Sequence, residues 1–241
     1  MTLNIKKCLV ISFSNKKQKY LYNYELSGHT LERKSNVKDL GIIFDDQLTF
    51  RTHYQYITTR ANKLLGFIIR QSQDFKKPSS LLNLYYTLVR SLLEYGSCIW
   101  SPFYEVHRKS IERVQKKCLK VISYRSGFNR TLYSYEQRLQ KFKVTKLETR
   151  RKQQDLIYLY KIIHAYIDSP SLLSFLNINI SCRTRNYAPF MLRSYINNTS
   201  FYNPLVRMCR TYNELVVKNT QIDIFNPRIH KFKADLTRNL S

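Results

Sequence analysis

Apolar residues recur every three or four positions from residue 50 onward, and this spacing constrains the fold more than any other feature of the sequence. Phe50, Tyr54, Ile57, Ala61 and Leu64 share one face if the chain is helical there, which predicts a first helix over residues 50–72. The same period predicts helices from Pro78 to near Gly96, from Pro102 through Val121, over residues 144–167 and over residues 205–217. Only 5 Gly and 6 Pro occur in 241 residues, which also favours long helices.

The first 48 residues have a different pattern. Residues 3–13, 20–27 and 37–44 are short β-type runs without the partner strands that a stable sheet usually needs. Residues 168–210 are rich in Asn, Ser and Pro and lack a clear period. We therefore predict a mainly α fold, α+β overall. It has a small β segment over residues 1–48, a helical bundle over residues 49–167 and a loop-rich extension with short helices over residues 168–241.

Positive charge greatly exceeds negative charge. Lys and Arg number 41 against 16 Asp and Glu, a formal net charge of +25. Such a charge is self-repulsive in a free protein and favours a polyanionic partner, with nucleic acid as the first candidate. Residues 113–152 hold 13 cations against only Glu136 and Glu148, a net +11, with aromatic residues interleaved. This mixture is typical of surfaces that bind phosphates and stack on bases, although a solvated helix face beside core aromatics is the alternative.

The stretch LGIIFDD, residues 40–46, ends an apolar run in two aspartates, as the metal-binding boxes of polymerases do. Two-metal chemistry needs carboxylates from separate strands, because adjacent side chains on one strand point to opposite faces. The upstream carboxylates, Glu25, Glu32 and Asp39, do not lie in an apolar strand. We therefore predict that Asp45 and Asp46 cap the first helix, and we assign no catalytic or metal-binding residue.

The five cysteines and five histidines show no metal-ligand spacing, so neither a zinc site nor a disulfide framework is indicated. Scattered cysteines suit a reducing compartment. The sequence shows neither a secretory signal nor a run of about 20 apolar residues. We therefore expect an intracellular location, nuclear or cytoplasmic, and no membrane partner.

Six stretches carry a resemblance to a known family. They are LNIKKCLVISFS, KDLGIIFDDQLTFRTHYQYITTRANKLLGFIIR, LYYTLVRSLLEYGSCIWSP, IERVQKKCLKVIS, LETRRKQQDLIYLYKIIH and CRTYNELVVKNTQIDIFNPRIHKFKADL. Together they resemble the C-terminal part of reverse transcriptases from non-LTR (LINE-type, jockey-like) retrotransposons. The resemblance covers nearly the whole chain, and its specificity comes from the order of the stretches.

The resemblance implies that residues 1–48 are the end of a palm domain and that the helices after them form a thumb. In that family the catalytic aspartates, which bind Mg²⁺, precede the segment that LNIKKCLVISF resembles. We therefore expect this chain alone to lack RNA-directed DNA polymerase activity and to hold no cofactor. Tyr95 and Trp100, in the stretch LEYGSCIWSP, are assigned to thumb packing, with base stacking by Trp100 as the alternative.

The role that the resemblance implies is to hold RNA or an RNA–DNA duplex by phosphate contacts that are largely independent of sequence. The cations predicted to do this are Arg113, Lys116, Lys117, Lys120 and Arg125, followed by Arg150, Arg151 and Lys152. Two other functions stay open. One is a non-enzymatic nucleic-acid-binding protein derived from a retroelement, and the other is a helical interaction module whose basic face binds an acidic protein.

Overall fold

The computed structural model describes residues 4–14, 22–75, 77–127, 133–179, 188–192, 203–218 and 222–240. Helices account for 60% of these residues, and small two-stranded sheets lie near the N-terminus, which confirms the predicted mainly α fold with a small β segment. The chain divides into two compact units, residues 1–60 and 61–241, whereas the sequence predicts divisions at residues 48 and 167. Much of the predicted loop-rich connection, residues 180–187 and 193–202, lies outside the described residues.

Short strands dominate the unit formed by residues 1–60. They are β1 (Leu9–Val10), β2 (Glu25–Leu26), β3 (His29–Thr30), β4 (Glu32–Arg33), β5 (Asn36–Asp39) and β6 (Ile42–Asp45). β1 pairs with β4 in parallel, whereas β2 with β3 and β5 with β6 are antiparallel pairs. The predicted run over residues 3–13 contributes only β1, because Ile5–Lys7 is a 3₁₀ turn. Residues 3, 20 and 21 of the predicted runs lie outside the described part of the chain.

The predicted strand over residues 37–44 is instead a hairpin. Leu40 and Gly41 have φ angles of 45° and 84°, and Asp39 pairs with Ile42 across this two-residue turn. Two consecutive positive φ angles give the turn the twist that joins antiparallel strands. The prediction of one continuous strand was therefore wrong, because Leu at the first turn position is not a typical turn signal.

Helices occupy each of the five stretches that the sequence predicts as helical, and further helices, not predicted individually, lie between and after them. In chain order, the helices are α1 (Arg51–Gln71), α2 (Pro78–Leu84), α3 (Ser91–Glu94), α4 (Ser97–Trp100), α5 (Glu105–Arg125), α6 (Tyr135–Phe142), α7 (Leu147–Ile163), α8 (Pro170–Ser174), α9 (Pro204–Lys218) and α10 (Ile229–Leu240). A π-helical segment, Tyr85–Arg90, joins α2 to α3. α7 ends before the predicted residue 167, because Ala165 has a φ of 55° and cannot continue it. None of the described helices is long and apolar enough to span a membrane.

The core of the unit formed by residues 61–241 lies around α7. Its residues Leu156, Leu159 and Tyr160 are fully buried against residues of α9 and α10, including Tyr212 and Phe232. The Tyr160 and Phe232 rings stack with centroids 4.9 Å apart, and the Tyr160 hydroxyl donates a hydrogen bond to the Asn226 carbonyl (2.9 Å). Residues 204–240 therefore complete the same core as α7 rather than forming a separate extension.

The burial of Trp100 confirms the packing role that the sequence predicts for it. Its side chain is 1% exposed, and its indole N–H donates to the Tyr95 carbonyl at 2.8 Å. A buried indole needs such a partner for its polar end. The alternative, base stacking by Trp100, has no exposed ring to support it.

His53 connects α1 to the β5–β6 hairpin within the first unit. It is 1% exposed, and its Nδ1 accepts a hydrogen bond from the Ile43 N–H (3.3 Å). Burial, with a smaller contribution from the charge of Lys38, lowers the pKa of His53 from 6.5 to about 4. The folded protein therefore favours the neutral imidazole, because a protonated Nδ1 could not accept this bond.

We predict that the free energy of unfolding falls as the pH drops from about 6.5 toward 4. Because the folded pKa lies below the unfolded one, the stabilisation is complete above pH 6.5 and is lost as the unfolded state binds its proton first. Urea unfolding at several pH values measures this. His53→Gln keeps a hydrogen-bond acceptor without the titration, so its pH dependence should be flatter in this window. Parallel curves for the two proteins would contradict the assignment.

Candidate nucleic-acid interface

α5 has one apolar face and one cationic face. Ile111, Val114, Cys118, Leu119 and Ile122 are at most 1% exposed and pack toward α2, α6 and α7. Val106, in the first turn of the same helix, is 75% exposed, although it lies eight residues before the buried Val114. The reason is geometric, since successive steps of four residues drift by about 40° each around a helix.

The opposite face of α5 carries four exposed cations: Arg113, Lys116, Lys117 and Lys120. We call these four residues the α5 cation stripe. They lie within an arc of about 100° and span about 10 Å along the helix axis. Within the described part of the chain, Arg113, Lys117 and Lys120 make no ion pair or hydrogen bond, and the Lys116 ammonium lies 4.8 Å from the centre of the Tyr135 ring. Three of the four stripe cations therefore present positive charge that is not paired with a carboxylate of the described residues.

A buried polar network lies under the stripe and fixes the rotation of α5. Gln115, which is fully buried, accepts a hydrogen bond from the Tyr85 hydroxyl (2.8 Å) and donates to the Tyr135 hydroxyl (3.0 Å) and the Thr145 carbonyl (3.1 Å). Tyr85 belongs to the π-helical segment and Tyr135 to α6. One side chain thus connects α5 to three neighbouring segments.

Glu112 extends this network to the start of α7. Its carboxylate accepts a hydrogen bond from the N–H of Leu147 at 3.1 Å. Leu147 is the first residue of α7, so this N–H has no acceptor within the helix itself. The same carboxylate also accepts a hydrogen bond from the Tyr135 hydroxyl. Burial, followed by the negative charge of Glu112, raises the pKa of Tyr135. The hydroxyl therefore stays protonated and keeps donating. Sequence reasoning missed Glu112 and Gln115, because their partners lie 20 to 35 positions away in the chain.

Arg125, although predicted to bind phosphate, closes the end of α1. Its guanidinium donates to the carbonyls of Ile69 (2.7 Å) and Ser72 (2.6 Å) and to the Ser72 hydroxyl (3.0 Å). The last carbonyls of a helix have no partner within it, and a cation there also opposes the helix dipole. The structure therefore gives Arg125 a capping role within the protein.

Arg150, Arg151 and Lys152 do not join the stripe. Arg150 forms a two-pronged ion pair with Glu94, including an Nη2–Oε2 distance of 2.9 Å, and the hydrogen bonding to Glu94 raises the pKa of Arg150. Arg151 is 2% exposed, and burial lowers its pKa against the opposing effect of nearby carboxylates. Lys152 pairs with Glu148 at 3.2 Å. The predicted set therefore divides into the four stripe residues, two arginines with partners inside the protein (Arg125 and Arg150), the buried Arg151, and Lys152 in an exposed ion pair.

The aspartates of LGIIFDD lie where β6 leads into α1. The Asp45 carboxylate accepts backbone N–H bonds from Gln47 (3.2 Å), Thr49 (2.8 Å) and Phe50 (2.6 Å). All three donors precede α1, which begins at Arg51, so Asp45 orders the strand-to-helix junction and does not cap N–H groups of the first helix as predicted. Among the described residues, no group of three or more His, Cys, Asp or Glu side chains could hold a metal ion.

Comparison with known proteins gives no relative. The chain matches no protein-family model, no curated protein and no solved structure.

We predict that Asp45→Ala lowers the free energy of unfolding by roughly 1–2 kcal/mol, because three backbone donors lose their acceptor. Asp45→Asn, which keeps one acceptor oxygen, should lose less. Asp39→Ala removes an exposed carboxylate from the neighbouring strand β5 and is the matched control, with a change within about 0.5 kcal/mol. Equal stability of Asp45→Ala and the control in urea would refute the role of Asp45 at the strand-to-helix junction.

Arg125→Ala should lower stability by roughly 1.5–3 kcal/mol, because it leaves carbonyls at the end of α1 without a charged donor. Arg125→Lys should recover only part of this loss, since one ammonium cannot reproduce the planar fork. Arg113→Ala, on the exposed face of α5, is the control and should unfold like the wild type. Thermal and urea unfolding distinguish the three, and a stable Arg125→Ala variant would remove the capping assignment.

Proposed function

We propose that this chain is the thumb and C-terminal part of a non-LTR retrotransposon reverse transcriptase, and that it holds nucleic acid by phosphate contacts on the α5 cation stripe. The observation that carries the proposal is the exposure of Arg113, Lys116, Lys117 and Lys120 on one helix face. The stretch IERVQKKCLKVIS, part of the family resemblance, coincides with residues 111–123 of α5. The resemblance and the charged face thus concern the same helix.

The first step is electrostatic. Cations held within about 10 Å of one another along a helix axis repel one another unless counterions or a polyanion accompany them. Each Arg or Lys that neutralises a phosphate releases a condensed counterion, which supplies binding free energy that depends on salt. Arg113, Lys117 and Lys120 have no ion-pair partner in the described residues, so a phosphate need not displace one.

The second step concerns the type of contact. Three of the four stripe residues are lysines, whose ammonium groups are flexible point charges. Base recognition in the major groove relies more on side chains that bond two atoms of one base at once, such as Asn or Gln with adenine and the planar fork of Arg with guanine. A stripe dominated by lysine therefore suits the backbone of RNA or of an RNA–DNA duplex, with little preference for sequence.

The third step is rigidity. The network of Tyr85, Glu112, Gln115 and Tyr135 prevents α5 from rotating about its axis, since any rotation would leave buried polar groups unpaired. The cations therefore keep a fixed register. A preorganised surface loses less conformational entropy on binding than a flexible basic segment would.

The test is replacement of Lys116, Lys117 and Lys120 together by Glu. We expect affinity for an RNA–DNA duplex to fall roughly tenfold or more, and the log–log salt slope to decrease by about 2 to 3, since each lost phosphate contact removes 0.7 to 0.9. Fluorescence anisotropy over a salt series measures both quantities. The variant should remain folded, because the three lysines are exposed.

The matched control replaces Lys218, Lys231 and Lys233, three exposed lysines of α9 and α10, by Glu. The control changes the net charge of the protein by the same amount as the stripe variant. If the stripe is the binding surface, the control should therefore retain most of the affinity for the duplex and most of the salt slope. Equal losses in both variants would mean that overall charge, and not the stripe, attracts the nucleic acid. Unchanged binding in the stripe variant would also contradict the proposal.

A further inference from the structure

Tyr124 continues the α5 cation stripe with an exposed aromatic ring. It lies four residues after Lys120 and seven after Lys117, so all three share one face of the helix. Tyr124 is 70% exposed. Within the part of the chain that the structure describes, its side chain has no hydrogen bond or ring contact.

The exposure of this ring contrasts with the burial of the large apolar residues in the middle of α5. The large apolar residues Ile111, Leu119 and Ile122 on the same helix are fully buried. Tyr85 and Tyr135 belong to the buried network under the stripe, whereas Tyr95, Tyr104 and Tyr166 are, like Tyr124, more than half exposed but do not lie on the stripe. Tyr124 thus places a rigid, flat apolar surface about 6 Å along the helix axis beyond the last cation of the stripe.

We infer that Tyr124 stacks on an unpaired base of the nucleic acid whose phosphates the stripe binds, so that this surface takes a single-stranded segment. The inference rests on the proposed function and names the form of its ligand. Inside a duplex, neighbouring base pairs cover both faces of each base, whereas an unpaired base can leave the stack and lie against an aromatic ring. Such stacking tolerates any sequence, because every base has a π-face.

The experiment separates bases from phosphates. A single strand of about twelve nucleotides is compared with an abasic strand of the same length, which keeps the phosphates and lacks the bases. The wild type should bind the natural strand between about fivefold and a hundredfold more tightly than the abasic one. Tyr124→Ala should lose most of this difference and bind both strands with similar affinity.

Two further variants control for folding and for general effects of tyrosine removal. Tyr124→Phe keeps the ring and should retain the preference for the natural strand. Tyr22→Ala removes a tyrosine that is also 70% exposed, in the unit formed by residues 1–60, and should leave the preference unchanged. Tyr124→Trp adds a direct readout, because the one native tryptophan, Trp100, is 1% exposed. The natural strand should quench the new fluorescence more than the abasic strand does.

The outcomes distinguish the two proposals. Equal binding of natural and abasic strands by the wild type, with the salt slope still dependent on the stripe, would overturn the stacking inference and leave the phosphate contacts in place. A Tyr124→Ala variant that keeps the full preference would also overturn it. The proposed function would be overturned as well if the wild type showed no salt-dependent binding. The same holds if that binding did not depend on Lys116, Lys117 and Lys120.

Discussion

The hydrogen bonds of Gln115 are the constraint on which the basic face of the protein depends. This fully buried amide connects α5 to the π-helical segment, to α6 and to the segment before α7. A buried amide without partners costs free energy, so these segments must pack in one relative arrangement to satisfy it. Glu112, one turn earlier, adds the cap of α7. With the inner face fixed in this way, Arg113, Lys116, Lys117 and Lys120 necessarily point outward.

The excess of positive charge is distributed unequally between structural and free cations. Arg150 is paired with Glu94, and Arg207 with the buried Asp155, at a distance of 2.9 Å in the latter pair. These carboxylates lie against helix interfaces, where an ion pair is little screened by salt. With only 16 acidic residues for 41 cations, the acids that serve such interfaces are not available elsewhere. Among the described residues, the α5 stripe is one place where four of the remaining cations lie together on a single helix face.

The periodicity of the sequence predicts most of the helices, since α1, α5 and α9 depend on local repeats of apolar residues that the tertiary structure then buries. The β5–β6 hairpin was not predicted, because Leu40 occupies the turn position that usually holds Asn, Asp or Gly. The candidate interface was only half predicted. Arg150 lies 56 positions from Glu94, and Arg125 lies 53 from Ser72. Sequence therefore identified the cations, whereas tertiary contacts decide which of them are free.

Chemical footprinting of lysines tests the central claim most directly. The protein is acetylated with and without a single-stranded RNA, and the reactivity of each lysine is measured by mass spectrometry. The account predicts that the RNA protects Lys116, Lys117 and Lys120, while the exposed Lys231 and Lys233 of α10 stay reactive. Bound RNA that leaves the three α5 lysines as reactive as in the free protein would contradict it.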